Sequence, residues 1–353
     1  MGFGGQEIRI LAESRWLGEH GIRALVAGQP GSRLLSEAQR AGIPALPVRM
    51  RGAWDVAAML AVRRLVRARH IDVVHTHSSV DSWVAGLAAR AAGLALVRSR
   101  HVSIPIPRAR AHVYRLADRI ITSGEAVARI VEAAGVPRER IVAIGPGIDT
   151  ARFHPGVAGD AVRAELGLGG PAVGLVANIR GSKGHRFFLE AAREVLRRHP
   201  DARFLIVGDG IGFDDVRRRV TELGLEAHVI MTGFRRDVPE VMAALDVLVL
   251  PSVKSEAMSQ VIPQALAVGT PVVGTTVGGT PELVRDGETG RVVPPADAPA
   301  LAAAITELLD APTRARELAR RGQAEVLARH SLDAAMARTV AVYEAARAVR
   351  MRG

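Results

Sequence analysis

The chain of 353 residues contains no cysteine. Disulfides and thiolate metal sites are therefore excluded, and the composition fits a reducing compartment, so a cytoplasmic location is expected. Aromatic residues make up 3%. With so few of them and no nucleic-acid module in the sequence, nucleic acid is not an expected partner. No apolar run reaches the ~18 residues of a membrane-spanning helix, and no charged-then-apolar leader opens the chain, so neither a span nor a secretory signal is expected. Internal repeats and low-complexity tracts are also missing.

What remains is the composition of a globular protein, 48% hydrophobic and 24% charged, long enough for two domains. Its charge is uneven. Residues 1–155 hold 22 Lys/Arg against 12 Asp/Glu, whereas the remainder is nearly balanced at 25 against 24. A one-sided basic half attracts anionic lipid or phosphorylated acceptors, and salt weakens both attractions. The alternative is a well-solvated arginine-rich surface.

The stretch from Val247 to Val284 organises the chain. Val247 to Leu250 is a short branched apolar run, the pattern of a parallel strand buried on both faces, and Pro251 and Ser252 end it. A loop with Lys254 and Glu256 follows. The next helix has to start late enough to leave Pro263 in its first turn, and Gly269 stops it. The amides around Ser259 to Ile262 are expected to be free, giving a helix start past the carboxyl end of a parallel strand, where α/β proteins hold phosphate.

Elsewhere, strands and helices alternate. Strands are expected at 23–27, 45–48, 72–75, 95–99, 119–121 and 141–143, and helices at 32–41 and 54–69, the second with Ala58, Val62 and Leu65 on one side and Arg63, Arg64 and Arg67 on another. That basic side is either a solvated face or a membrane-surface face. An opening helix after Gly4 and Gly5 places Ile8, Leu11 and Leu17 on its apolar side. Only three residues precede that glycine pair. A strand is expected there, so a late start or a truncation at Met1 would leave a gap in the middle of the first sheet. A helix capped by Ser123 is expected after the 119–121 strand. His75 and His77 bracket Thr76 and point to one side of their strand. They read as cleft lining or hydrogen-bonded histidines, since a metal would need a third ligand. Gly145 to Gly147 and the following Asp149 and Pro155 mark a domain boundary.

In the second half, Arg180 and Lys183 follow the 173–177 strand and precede a helix with Phe187, Phe188, Ala191 and Val195. Two cations at such a strand end are either solvated loop charges or a pair suited to a diphosphate group. Turns at Gly208 to Gly210 and at Gly233 to Arg235 come next. Helices are expected over 298–309, 313–328 and 332–348, the last with Met336, Val340 and Tyr343 at core spacing.

As a set, these motifs resemble glycosyltransferase family 4, whose members have the GT-B fold. The resemblance implies an α/β protein of two Rossmann-like, doubly wound parallel-sheet domains facing across a cleft. Residues 1–150 would form an acceptor-side domain lacking its first strand, 151–330 a nucleotide-sugar donor domain, and 331–353 a helix packing back toward the first. The implied activity is transfer of a sugar from a nucleoside diphosphate sugar to a glycolipid or saccharide acceptor, with retention of configuration, in lipopolysaccharide or surface-polysaccharide synthesis. No metal or other cofactor is implied. Possible contact of the basic half with an anionic inner membrane face goes with this reading.

By resemblance, Arg180, Lys183, Glu256 and His101 are the catalytic candidates. Gly4, Gly5, Gly208, Gly233, Phe234, Arg235, Met258, Ser259, Gln260 and Gln264 are the donor-binding ones. The family usually shows Glu, seven residues, then Glu; this chain has Glu256, seven residues, then Gln264. A further departure is Pro146, where asparagine is common. In the family the second acid holds the ribose hydroxyls, and Gln can still bond a diol, so weaker donor binding by about tenfold is expected rather than loss of activity. Two other readings stay open. One is a GT-B nucleotide-sugar epimerase, which needs acid and base groups that do not stand out here. The other is a non-catalytic sugar-nucleotide or membrane-surface binder.

Overall fold

A computed structural model describes residues 4–107, 110–254 and 256–352. Residues 1–3, on which the expectation about the start of the chain bears, lie outside that range. The chain forms two compact units, one of residues 1–147 with 332–353 and one of residues 148–331. No helix among the described residues is long and apolar enough to cross a membrane.

In the first unit the strands are β1 (Val26–Gly28), β2 (Ala45–Pro47), β3 (Val73–Thr76), β4 (Ala95–Arg100), β5 (Arg119–Thr122) and β6 (Ile141–Ala143). All of their pairings are parallel. They fall into two ladders, β1-β2 and β3-β4-β5-β6, and no ladder joins β1 to β3 among the described residues. The helix Leu332–Met351 returns to this unit and buries Ala335, Val342 and Ala346 against Ala95, Val97 and Ile121. That apolar seam holds the last helix to the sheet.

Two local expectations fail here. In the helix Gly5–Glu19 the buried face carries Arg9, Glu13 and Leu17, while Ile8 is 49% exposed. Arg9 and Glu13 neutralise each other at 2.6 Å, and Arg9 also donates to the Ile144 carbonyl at 3.2 Å, which satisfies groups that burial would otherwise penalise. The helix Glu125–Ala133 begins at Gly124, and the buried Ser123 hydroxyl makes no cap.

The second unit contains β7 (Ala172–Val176), β8 (Arg203–Val207), β9 (Val229–Gly233), β10 (Val247–Leu250), β11 (Val272–Thr275) and β12 (Arg291–Val293). They form one parallel sheet in the order β12-β11-β10-β7-β8-β9. Every residue of β7 and β10 is buried, as their unbroken apolar runs require of strands covered on both faces. Helix His185–Val195 seals one face with Phe188, Ala191 and Val195. Helix Val261–Val268 seals the other with Ile262, Ala265 and Leu266. Pro263 lies in its first turn and Gly269, at φ 100°, ends it, as the sequence requires.

Candidate active site

Strand order places β7 beside β10, where the chain direction through the sheet reverses: β8 and β9 continue to one side, β11 and β12 to the other. At such a switch point the loops leaving the carboxyl ends diverge and open a crevice for ligand. The loop after β7 carries Arg180 and Lys183, and the loop after β10 carries Glu256. Lys183 Nζ meets Glu256 Oε2 at 2.5 Å, with the two side chains only 14% and 9% exposed. Ser252 Oγ donates to the same carboxylate oxygen at 2.8 Å, and Thr275 Oγ1 donates to the Ser252 carbonyl at 2.6 Å. Arg180 stays exposed beside them.

Backbone joins these loops. The Val253 N–H donates to the Ser182 carbonyl at 3.0 Å, and the Gly279 N–H donates to the Glu256 carbonyl at 3.1 Å. Gly184, at φ 73°, lies so close that a Cβ would collide with the Pro251 carbonyl oxygen. Gly278, at φ 60°, stands in the same relation to Glu256. Only glycine combines a left-handed turn with backbone approach this close. His185, buried next to Lys183, is held at a pKa of about 4 by burial and by the lysine's charge. Its ring is therefore neutral at pH 7.

The other candidates of this unit surround the same edge. The Gly208 N–H donates to the Gly233 carbonyl at 2.9 Å, and a register shift between β8 and β9 at Ile206/Val207 lets the chain turn out at Gly233, φ 70°. Phe234 is 70% exposed at that turn. Arg235 is clamped by Glu165 at 2.6 and 2.8 Å and by Asp237 at 2.9 and 2.5 Å, which fixes the turn and raises its pKa further. Its side chain is thus committed to protein partners.

At the helix start, Ser259 is buried and its Oγ accepts from the Val261 N–H at 3.2 Å. The expected set of free amides from Ser259 to Ile262 is therefore reduced by this one. Met258 packs on the core, and Gln260 occupies the position before the helix without a side-chain cap bond. Gln264 is half-buried one turn on.

Three candidates lie in the first unit. The Gly4 N–H is taken up by Glu7 at 2.9 Å, and Gly5 opens the helix. His101 follows β4. Its Nε2 shares a hydrogen bond with His77 Nδ1 at 3.1 Å, with the rings stacked 5.4 Å apart. The His75 ring lies tilted against His77 at 4.2 Å and shares hydrogen bonds with Tyr343 and Ser99, both at 2.8 Å. Burial, reinforced by Arg9, lowers the pKa of His77 to about 3, and burial with His77 and Arg9 lowers His101 to about 2. His75 is also held well below the ordinary range, chiefly by burial. The trio is a neutral, hydrogen-bonded cluster. Among the described residues no group of three or more His, Cys, Asp or Glu is placed to hold a metal ion.

Residues 3–152 match Glycosyltransferase Family 4, and residues 170–311 match Glycosyl transferases group 1. A 2-deoxystreptamine glucosyltransferase of Streptomyces kanamyceticus is 30% identical over 349 residues, covering 87% of this chain and 90% of that protein. This chain belongs to glycosyltransferase family 4. A D-inositol 3-phosphate glycosyltransferase of Acidothermus cellulolyticus is 33% identical across 78% of this chain and 67% of its own. In fold, this family 4 glycosyltransferase is similar to the Anabaena protein HepE, solved in complex with UDP, at a TM-score of 0.88, 22% identity and coverage of 97% and 96% of the two chains. Such structural neighbours are GT-B glycosyltransferases, and the two parallel α/β units agree with that fold.

Reading the sequence for single motifs overlooks several residues of this glycosyltransferase's site. Ser252 and Thr275 tie down Glu256, and Gly278 and Gly279 close over it. His185 backs Lys183. One signal lay in the composition: Lys183 and Lys254 are the only lysines among 47 basic residues, and both fall in the two loops that build the site.

Proposed function

We propose that the chain transfers a glycosyl group from a nucleoside diphosphate sugar to a saccharide or glycolipid acceptor, with retention of anomeric configuration and without a metal. The buried Lys183–Glu256 pair at the switch point of the second sheet carries this reading. As the bond from the anomeric carbon to the diphosphate breaks, its electron pair passes to a phosphate oxygen. A cation held in a desolvated loop stabilises that charge more than one in water does. Lys183 is such a cation and the exposed Arg180 adds a second, more solvated charge, in the place a magnesium ion takes elsewhere. Glu256, held by Ser252 and Lys183, orients the sugar; Gln264 bonds the ribose; the turn at Gly233 and Phe234 receives the base through backbone; and His101, a sugar contact by family resemblance, offers a neutral donor or acceptor.

The acceptor we propose is a saccharide or saccharide-bearing lipid of cell-surface synthesis. The relatives named for 2-deoxystreptamine and D-inositol 3-phosphate add cyclic polyols to the acceptors worth screening. Peripheral contact with an anionic inner membrane face is proposed through helix Val56–Ala68. It buries Ala58, Val62 and Val66 and leaves Val56 and Leu60 exposed on the side of Arg64 and Arg67, with Trp54 exposed just before the helix.

Thermal melting with UDP, GDP and ADP and their sugars tests the donor. A nucleotide at 100 times its Kd adds about 2.7 kcal/mol, which reads as a shift of several degrees. A shift with one base, followed by turnover and an axial or equatorial assignment of the product by NMR, completes the test. No shift with any nucleotide overturns the proposal.

A further inference from the structure

Five arginines converge on the amino edge of the β3-β4-β5-β6 sheet, the end opposite the histidine cluster. Arg90, Arg115, Arg119, Arg140 and Arg350 line, with Val349, a surface depression of about 490 Å³ whose one acid is Asp118. They come from helix Ser79–Ala91, helix His112–Arg115, the starts of β5 and β6, and the last helix. The cluster is therefore built by the fold and is not a basic run in the sequence.

Asp118 anchors it. Its carboxylate is 3% exposed and accepts from the Leu96 N–H at 2.8 Å, from Arg90 at 3.0 Å and from Arg350 at 2.8 and 3.1 Å. Arg119 donates to the Asp118 carbonyl at 2.9 Å. Arg140 donates to the carbonyls of Ala117 and, at 3.2 Å, Arg115. Arg115 itself is exposed and makes no ion pair among the described residues. One carboxylate thus faces five guanidinium groups, two of which it engages directly. Burial is the main cause that lowers the pKa of Arg140; Asp118 opposes it, and the like charges of Arg90 and Arg119 add to the lowering. Like charges held together in this way are relieved by an anion, and guanidinium forks match phosphate oxygens two at a time.

We propose that this depression is a second anion site, which binds the phosphate end of a phosphomonoester or diphosphate ligand. Asp118 acts as the internal strut that fixes Arg90 and Arg350, and Arg115, Arg119 and Arg140 face the ligand. The site lies in the unit that does not carry Lys183. A phosphorylated lipid headgroup and a soluble phosphoester share this chemistry.

Inorganic pyrophosphate, titrated by calorimetry into the full chain carrying Arg180→Ala and Lys183→Ala, removes the donor loops' contribution and isolates the second site. One binding event is expected to persist. Adding Arg115→Glu weakens it at least about tenfold, and Arg115→Gln weakens it less, with melting temperatures unchanged because Arg115 is exposed and unpaired. Sedimentation with phosphatidic acid vesicles, against phosphatidylcholine alone, separates the sources. Vesicle binding lost in Arg115→Glu assigns the phosphate to a lipid headgroup, and pyrophosphate binding without vesicle binding assigns it to a soluble ligand. Absence of both, or binding indifferent to Arg115→Glu, overturns the proposal.

Discussion

Beyond β7 and β10, Lys183 and Glu256 meet as a buried ion pair at 2.5 Å; beyond β3 and β4, His77 and His101 meet as neutral imidazoles with nitrogens 3.1 Å apart. Both are carboxyl ends of parallel strands, where loops diverge and side chains collect. The second unit secures its charges with hydrogen bonds from Ser252 and a glycine turn. In the first unit, desolvation and nearby Arg9 keep the rings uncharged. The same architecture thus serves two chemistries. On the proposed function, the ion pair would hand its cation to an incoming diphosphate, whereas neutral rings offer hydrogen bonds to hydroxyl groups without adding charge.

The largest expected effect follows from removing that cation. Lys183→Ala should lower kcat/KM at least about 100-fold, or ~2.7 kcal/mol of transition-state stabilisation, measured with the donor identified by melting. A loss below tenfold would erase the functional difference between the two edges. Next in size, Gly184→Ala forces a side chain into a left-handed turn against the Pro251 carbonyl. The turn alone costs about 1–2 kcal/mol, and the collision adds to it, so chemical denaturation should show a loss of at least that size.

Acidification tests the other edge. His77 and His101, at about 3 and 2, lie below the unfolded-state value of ~6.5, so the unfolded chain binds protons first as pH falls. Stability is full above that value and declines from pH 6.5 toward 3. One such histidine should cost about 2 kcal/mol between pH 7 and pH 5. His185, at about 4, acts with the same sign in the second unit. Urea melts at the two pH values should show the loss, and it should shrink in His77→Gln; an unchanged loss would mean these rings are not the proton-sensitive element. The smallest effect belongs to Gln264→Glu, which should tighten donor binding by about tenfold by restoring a charged partner for the ribose hydroxyls. Calorimetry with the donor nucleotide sugar reads it directly.

Much of this was legible in the sequence where it depends on neighbouring residues. The apolar run of β10, Pro263 in the first turn of its helix and Gly269 at the end fix that segment whatever surrounds it. Arg180, Lys183 and Glu256 were placed at strand ends by the same local logic. The local logic failed where partners came from afar. Ile8 is exposed because Arg9 and Glu13 take the inner face, a choice made by Ile144, 135 residues away from Arg9. Two smaller failures were local: Ser123 makes no cap, and the Val261 amide is claimed by Ser259 two residues before it.

The sequence by itself determined the alternation of strand and helix, the apolar faces and the stops, since periodicity and turn chemistry act over a few residues. Only the tertiary structure decided which charges meet. It set Lys183 on Glu256, 73 residues apart, and Arg350 on Asp118, 232 apart. Ionisation of the histidines was decided there too, because a charge's partners and its distance from water are properties of the packed chain.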